Sequence, residues 1–123
     1  QYLNRQAVIN YSNNTKFLYQ MLTEAILESL GLVDTNNNEK ENDELEEFKD
    51  GSHLIVINCY PACPEPDLTL GMPPHSDYGL LTLLLQDEVE GLQIQHEGRW
   101  ATVEPLPDSL VVNIGDHLEV GKY

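Results

Sequence analysis

Two hydrophobic rhythms divide the chain. Between residues 13 and 30, Leu18, Met21, Leu22, Ala25, Ile26 and Leu30 recur three or four positions apart, the spacing that gathers apolar side chains on one face of a helix. Ser12 or Asn13 is placed to cap its start, and Gly31 to follow its end. The stripe is expected to pack on a core. Residues 1–10 read as a piece of a preceding helix that the pattern does not place. From His53 onward the rhythm shortens. Leu54-Ile55-Val56-Ile57-Asn58 and residues 80–85 are apolar runs rich in branched side chains. Leu92-Gln93-Ile94-Gln95 alternates strictly, Glu97-Gly98 supplies a tight turn and Trp100-Ala101-Thr102-Val103 returns, which predicts a hairpin. Residues 109–114 predict another strand, closed by a turn at Gly115-Asp116. Short strands spaced by about 8–12 residues with Gly and Pro between them predict an antiparallel sandwich or barrel.

Between the two rhythms lies an acidic stretch, residues 34–52, running from Asn36-Asn37-Asn38 into Glu39-Lys40-Glu41-Asn42-Asp43-Glu44. It is too polar to bury much and reads as a solvated connector. Its carboxylates are expected to face water rather than gather a cation, because nothing rigid holds them together. The division that follows is a helical N-terminal segment with its connector, 1–52, and a β domain, 53–123. With 123 residues and 41% hydrophobic content, the chain is expected to form one domain at most.

The formal net charge is −15, which argues against nucleic acid or an anionic membrane as a partner, since either needs a basic patch. No apolar run approaches the roughly 20 residues that span a bilayer, and no secretory leader is apparent. A cytoplasmic setting is expected. The sequence opens on Gln1 rather than Met, so a processed chain or a piece of a longer one is expected. Cys59 and Cys63 stand four positions apart and read as two reduced thiols. One such pair is poor evidence for zinc, and a bridge across Pro61 would be awkward.

The chemistry concentrates at His75-Ser76-Asp77, behind Pro73-Pro74. In an extended strand residues i and i+2 share a face, so His75 and Asp77 would project together while Ser76 turns away. An imidazole and a carboxylate side by side are two-thirds of the 2-His-1-carboxylate triad of non-haem Fe(II) oxygenases. Taken alone, the pair reads more readily as a hydrogen-bonded His and Asp beside a loop, since polar pairs near turns are ordinary. Tyr60 alone reads as an amphipathic core residue. His53, His96 and His117 read as surface or turn residues, since none shares a short rigid spacing with a second ligand.

Around His75-Ser76-Asp77 the sequence resembles the plant 2-oxoglutarate- and Fe(II)-dependent dioxygenases. The resemblance is carried by Asn58-Cys59-Tyr60-Pro61-Ala62-Cys63-Pro64, by Leu70-Gly71-Met72-Pro73-Pro74-His75-Ser76-Asp77-Tyr78-Gly79 and by Leu81-Thr82-Leu83-Leu84-Leu85-Gln86-Asp87. Gly91-Leu92-Gln93-Ile94-Gln95, Gly98-Arg99-Trp100 and Val111-Val112-Asn113-Ile114-Gly115-Asp116 continue it. It covers residues 53–123 closely and the helix with Leu30-Gly31-Leu32 more loosely. It implies a mainly β fold with helices, a partial double-stranded β-helix, or jelly roll, preceded by the amphipathic helix. It implies His75 and Asp77 as iron ligands, Tyr60 as a hydrogen-bond donor to 2-oxoglutarate, and Asn58 facing the same site. The implied reaction oxidises a small organic molecule of plant secondary metabolism. Succinate and CO2 are the co-products, and ascorbate is a candidate supporting agent. Oligomeric state is not implied.

The resemblance has a limit near the C-terminus. The family carries its distal histidine on a strand after the Gly-Asp turn, and an arginine and serine for the far carboxylate of 2-oxoglutarate beyond that. Here His117-Leu118-Glu119-Val120 runs straight into Gly121-Lys122-Tyr123. No Lys or Arg lies between Lys49 and Arg99, although a dianion normally takes a guanidinium partner. Two readings follow. The chain is a fragment of an oxygenase, inactive alone for want of the third iron ligand, or it is a non-catalytic product, a truncated pseudo-oxygenase or a metal-free jelly-roll module.

Overall fold

The computed structural model describes residues 4–31 and 51–120. Most of the acidic connector and the residues after Val120 lie outside them. The described chain falls into two compact units, divided between His75 and Ser76.

The first unit is built on helix α1, Arg5–Ser29. Its N-cap is Asn4, whose side chain accepts the Gln6 amide at 3.0 Å, so the helix starts well before the expected Ser12 or Asn13. Residues 5–10 are not a separate preceding helix but the first turns of α1, and residues 1–3 lie outside the described residues. The tolerance for Thr15 inside the helix has a local cause: its hydroxyl donates back to the Tyr11 carbonyl at 2.8 Å, removing its competition for other backbone groups. At the other end Gly31, with φ of 70°, follows the Leu30 cap as expected. The covered stripe is rotated from the expected one. Thr23 and Leu27 are buried, whereas Met21 and Leu30 stand about half exposed. Tyr19 lies on the covered side, edge-on to His53 with ring centroids 5.4 Å apart.

Residues 51–65 have no regular secondary structure. The strand expected at residues 54–58 does not form, and Leu54 is 87% exposed. The physical reason is pairing: a strand exists through its ladder, and none of the described residues pairs with these. A single 3-10 turn, Pro66–Leu68, follows, closed by the Leu68 amide on the Glu65 carbonyl.

The second unit holds strands β1, Leu81–Leu84, β2, Gln93–His96, β3, Arg99–Thr102, and β4, Val111–Ile114. β1 pairs antiparallel with β4, Leu83 opposite Val112, and β2 pairs with β3, Ile94 opposite Ala101. The expected hairpin is present. Glu97 and Gly98 both take positive φ, 49° and 75°, the two-residue turn whose twist matches the strands it joins. After β4 the chain does not simply turn at Gly115-Asp116; it enters a short helix, α2, Asp116–Val120. Among the described residues no helix is long and apolar enough to cross a membrane.

Candidate metal and cosubstrate site

The expected site residues lie on two kinds of scaffold. In the first unit, Asn58 and Tyr60 sit in the irregular stretch, both exposed, Tyr60 to 60%. The Tyr60 ring lies near Gly71. A Cβ built on Gly71 would meet ring atoms Cδ1 and Cε1 at 3.4 Å, so the two family-like segments touch through the ring and the bare glycine. The Tyr60 hydroxyl is a phenolic donor able to meet an anionic oxygen.

His75 ends the first unit and is exposed. Its Nδ1 lies 2.9 Å from the Pro73 carbonyl oxygen. A carbonyl only accepts, so Nδ1 carries the proton, and in the neutral ring the ligating lone pair is on Nε2. This is the arrangement that orients a metal-binding imidazole through its other nitrogen. The imidazole and carboxylate at positions 75 and 77 are donor types suited to Fe(II).

Asp77 is the second residue of the second unit, half-buried. Neither it nor His75 lies in a strand, so the strand geometry expected to turn both side chains to one face is not what holds them. Backbone bonds do that work around Asp77. The β1–β4 register runs one step past its ends, with the Gly115 amide on the Leu80 carbonyl at 2.8 Å. There it breaks: the Asp116 amide donates to the Asp77 carbonyl at 2.9 Å, and the His117 amide to the Gly79 carbonyl at 3.0 Å. Gly79 makes the bend with φ of 114°, open to glycine and strained for other residues. Gly115 is buried, and a Cβ there would collide with the Gly79 carbonyl and lie 3.0 Å from the Asp77 oxygen. The Ser76 hydroxyl donates to the Asp116 carboxylate at 3.0 Å.

The remaining histidines stand as the sequence suggests. His96 is exposed at the end of β2, and His53 meets only the Tyr19 ring among the ring contacts. His117 sits on α2 rather than in an open turn, edge-on to Tyr78 with centroids 4.4 Å apart. Cys59 and Cys63 are exposed free thiols. Among the described residues no three His, Cys, Asp or Glu side chains gather as a metal-holding cluster. Arg99 opens β3 at the hairpin tip. The link from Ser76 to Asp116 and the tight Gly79–Gly115 approach were not anticipated. Their only trace in the sequence is a glycine beside each of the two motifs.

A family model described as the 2OG-Fe(II) oxygenase superfamily matches residues 51–122. The chain is 43% identical over 116 residues to Protein DMR6-LIKE OXYGENASE 2 of Arabidopsis thaliana, covering 94% of this chain and 31% of that protein. It is 42% identical over 117 residues to codeine O-demethylase of Papaver somniferum, with 94% of this chain and 31% of that protein covered. To 2-oxoglutarate-dependent dioxygenase 19 of Oryza sativa subsp. japonica it is 43% identical over 123 residues, covering 97% of this chain and 35% of that protein. The chain thus spans about a third of the length of the curated relatives it matches.

Proposed function

The chain belongs to the 2OG-Fe(II) oxygenase superfamily, and from that premise we propose that His75 and Asp77 bind Fe(II) and that Tyr60, with Asn58 beside it, receives 2-oxoglutarate. The family match over 51–122 carries this reading, because all four residues fall inside it. Iron and the keto acid, when bound, would supply the oxidation, with succinate and CO2 as co-products and ascorbate as a supporting agent. The substrate is a small organic plant metabolite. The relatives' names, among them a demethylase of codeine, support that class, and the net charge of −15 makes nucleic acid a poor partner.

The chain's own residues bind and orient. His75 presents Nε2 because Nδ1 is committed to the Pro73 carbonyl. Asp77 supplies an anionic oxygen from a segment tied by its own carbonyl to the Asp116 amide. Tyr60 donates its hydroxyl proton to an oxygen of the keto acid. The two antiparallel pairs support reading residues 53–123 as part of a jelly roll, with residues 1–52 as its helical N-terminal segment.

These residues provide two of three protein ligands. The first reading is that the 123 residues by themselves hold iron weakly and do not turn over. The second reading is a non-catalytic pseudo-oxygenase or jelly-roll module. Incubating the chain with Fe(II) and 2-oxoglutarate, while following both metal binding and succinate, tests both. Weak binding lost in His75→Ala and Asp77→Ala, without steady succinate release, is expected. Succinate at about 1 per second or more would show a complete site. Binding indifferent to both substitutions would remove the ligand assignment.

A further inference from the structure

We infer that Asp116 is a positioning residue for the Asp77 ligand, gripping the ligand segment from the end of β4 with both its amide and its carboxylate. The inference rests on the proposed ligand role of Asp77. Two bonds define the grip. The Asp116 amide donates to the carbonyl of Asp77 itself at 2.9 Å. The Asp116 carboxylate accepts the hydroxyl of Ser76, the residue before it, at 3.0 Å. Ser76 stands between the two proposed ligands, so a bond to its hydroxyl fixes the segment without occupying either ligand's side chain.

The amide bond could be made by almost any residue at position 116. The carboxylate bond could not. An ionised acceptor gives a shorter and stronger hydrogen bond than a neutral one, and here it joins residues 40 positions apart. The neighbouring backbone is shaped to bring them together. Gly115 is buried against the Asp77 and Gly79 carbonyls where a Cβ would not fit, and the Gly115 and His117 amides bond the Leu80 and Gly79 carbonyls on either side. A carboxylate ligand serves a metal only if its supporting shell holds it within about 0.5 Å of the productive position. Outer-shell partners of this kind typically change metal affinity or activity by about 10–100-fold. Ser76 and Asp116 form that shell for Asp77.

The test titrates the 123-residue chain with Co(II), a redox-stable probe, and reads the dissociation constant beside amide hydrogen exchange in β1 and β4. Ser76→Ala and Asp116→Ala should each weaken Co(II) binding about tenfold, at the lower end of outer-shell effects. The double variant should be no worse than either, because both remove one interaction. Ser76→Thr, which keeps the hydroxyl, should restore affinity. Exchange protection in β1 and β4 should persist in Ser76→Ala, which leaves the β4–α2 sequence untouched and keeps the test valid if Asp116→Ala unfolds. Loss of Co(II) binding in Asp77→Ala, with Ser76→Ala and Asp116→Asn both within twofold of the parent chain, would overturn the positioning role and leave the ligand assignment standing. Unchanged Co(II) binding in Asp77→Ala would overturn the ligand assignment and this inference with it.

Discussion

Residues 54–58 and strand β1 are near twins in sequence and opposites in structure. Leu-Ile-Val-Ile in one and Leu-Thr-Leu-Leu in the other are both short apolar runs with strand character. β1 lies against β4 in full register, its four residues half-buried. Residues 54–58 pair with none of the described residues, and Ile57 is 66% exposed. Apolar composition makes a segment competent for a sheet, and only a partner makes it a strand. The contrast passes into the candidate site. The Asp77 backbone is fastened by the β4–α2 corner, whereas Tyr60 and His75 lie in chain without regular secondary structure, Tyr60 near Gly71 and His75 with its Nδ1 on the Pro73 carbonyl.

The largest effect should come from the ligands. His75→Ala and Asp77→Ala should each abolish specific metal binding, and Asp77→Glu should fail as well, since one more methylene moves the carboxylate out of position. His117→Ala should leave binding intact, because that ring sits on α2 against Tyr78; equal loss in this variant would make His117 a ligand. Next comes the glycine comparison. Gly115→Ala drives a Cβ into the Gly79 carbonyl and should cost about 3 kcal/mol, the upper range for overpacking, read as lost exchange protection in β1 and β4. Gly71→Ala places its Cβ at 3.4 Å from the Tyr60 ring, an ordinary contact, and should stay within about 0.5 kcal/mol.

Tyr60→Phe should be felt only with 2-oxoglutarate present. One hydrogen bond to a charged group is worth about 1.5–3 kcal/mol, so calorimetry should show roughly a tenfold to hundredfold weaker cosubstrate affinity. Paired truncations then test the twins. Leu83→Ala should cost about 1–2 kcal/mol, below the buried-core range because the site is only half covered, and Ile57→Ala about 0.5 kcal/mol or less by denaturant unfolding. Smallest is the alkaline response of the first unit. Burial holds Tyr19 above its ordinary pKa of 10.0, and the Thr23 hydroxyl opposes part of this. The unfolded chain therefore ionises first. Stability from this group is full below about pH 10 and is lost as pH rises through the folded-state value. Tyr19→Phe should flatten that slope in helicity measured by circular dichroism.

What could be read from the sequence was local. The 93–102 hairpin declares itself by alternation around Glu97-Gly98, and β1 and β4 by runs bounded with Gly and Pro. Gly31 marks the end of α1 because a left-handed residue is needed there. The start of α1 was missed because Ser12 and Asn13 are good caps on their own, and Asn4 competes for the role from a position without an apolar stripe behind it. The strand at 54–58 was overread because propensity says nothing about partners. The short spacing of His75 and Asp77 was legible, but not the means by which the Ser76-Asp77 segment is held. That means is a bond between Ser76 and Asp116 and a glycine-to-carbonyl approach across some 40 positions, and no window of local sequence contains both sides.

The central claim is that this chain carries a metal-ligand pair at His75 and Asp77, and paramagnetic broadening of backbone amide resonances tests it most directly. Substoichiometric Mn(II), added to the isotopically labelled chain, should broaden amides around residues 73–79 and 115–117 first. That selectivity should vanish in His75→Ala while the β2–β3 hairpin signals stay unchanged. Broadening centred instead on the acidic stretch from Glu39 to Asp50, and indifferent to His75→Ala, would contradict the account.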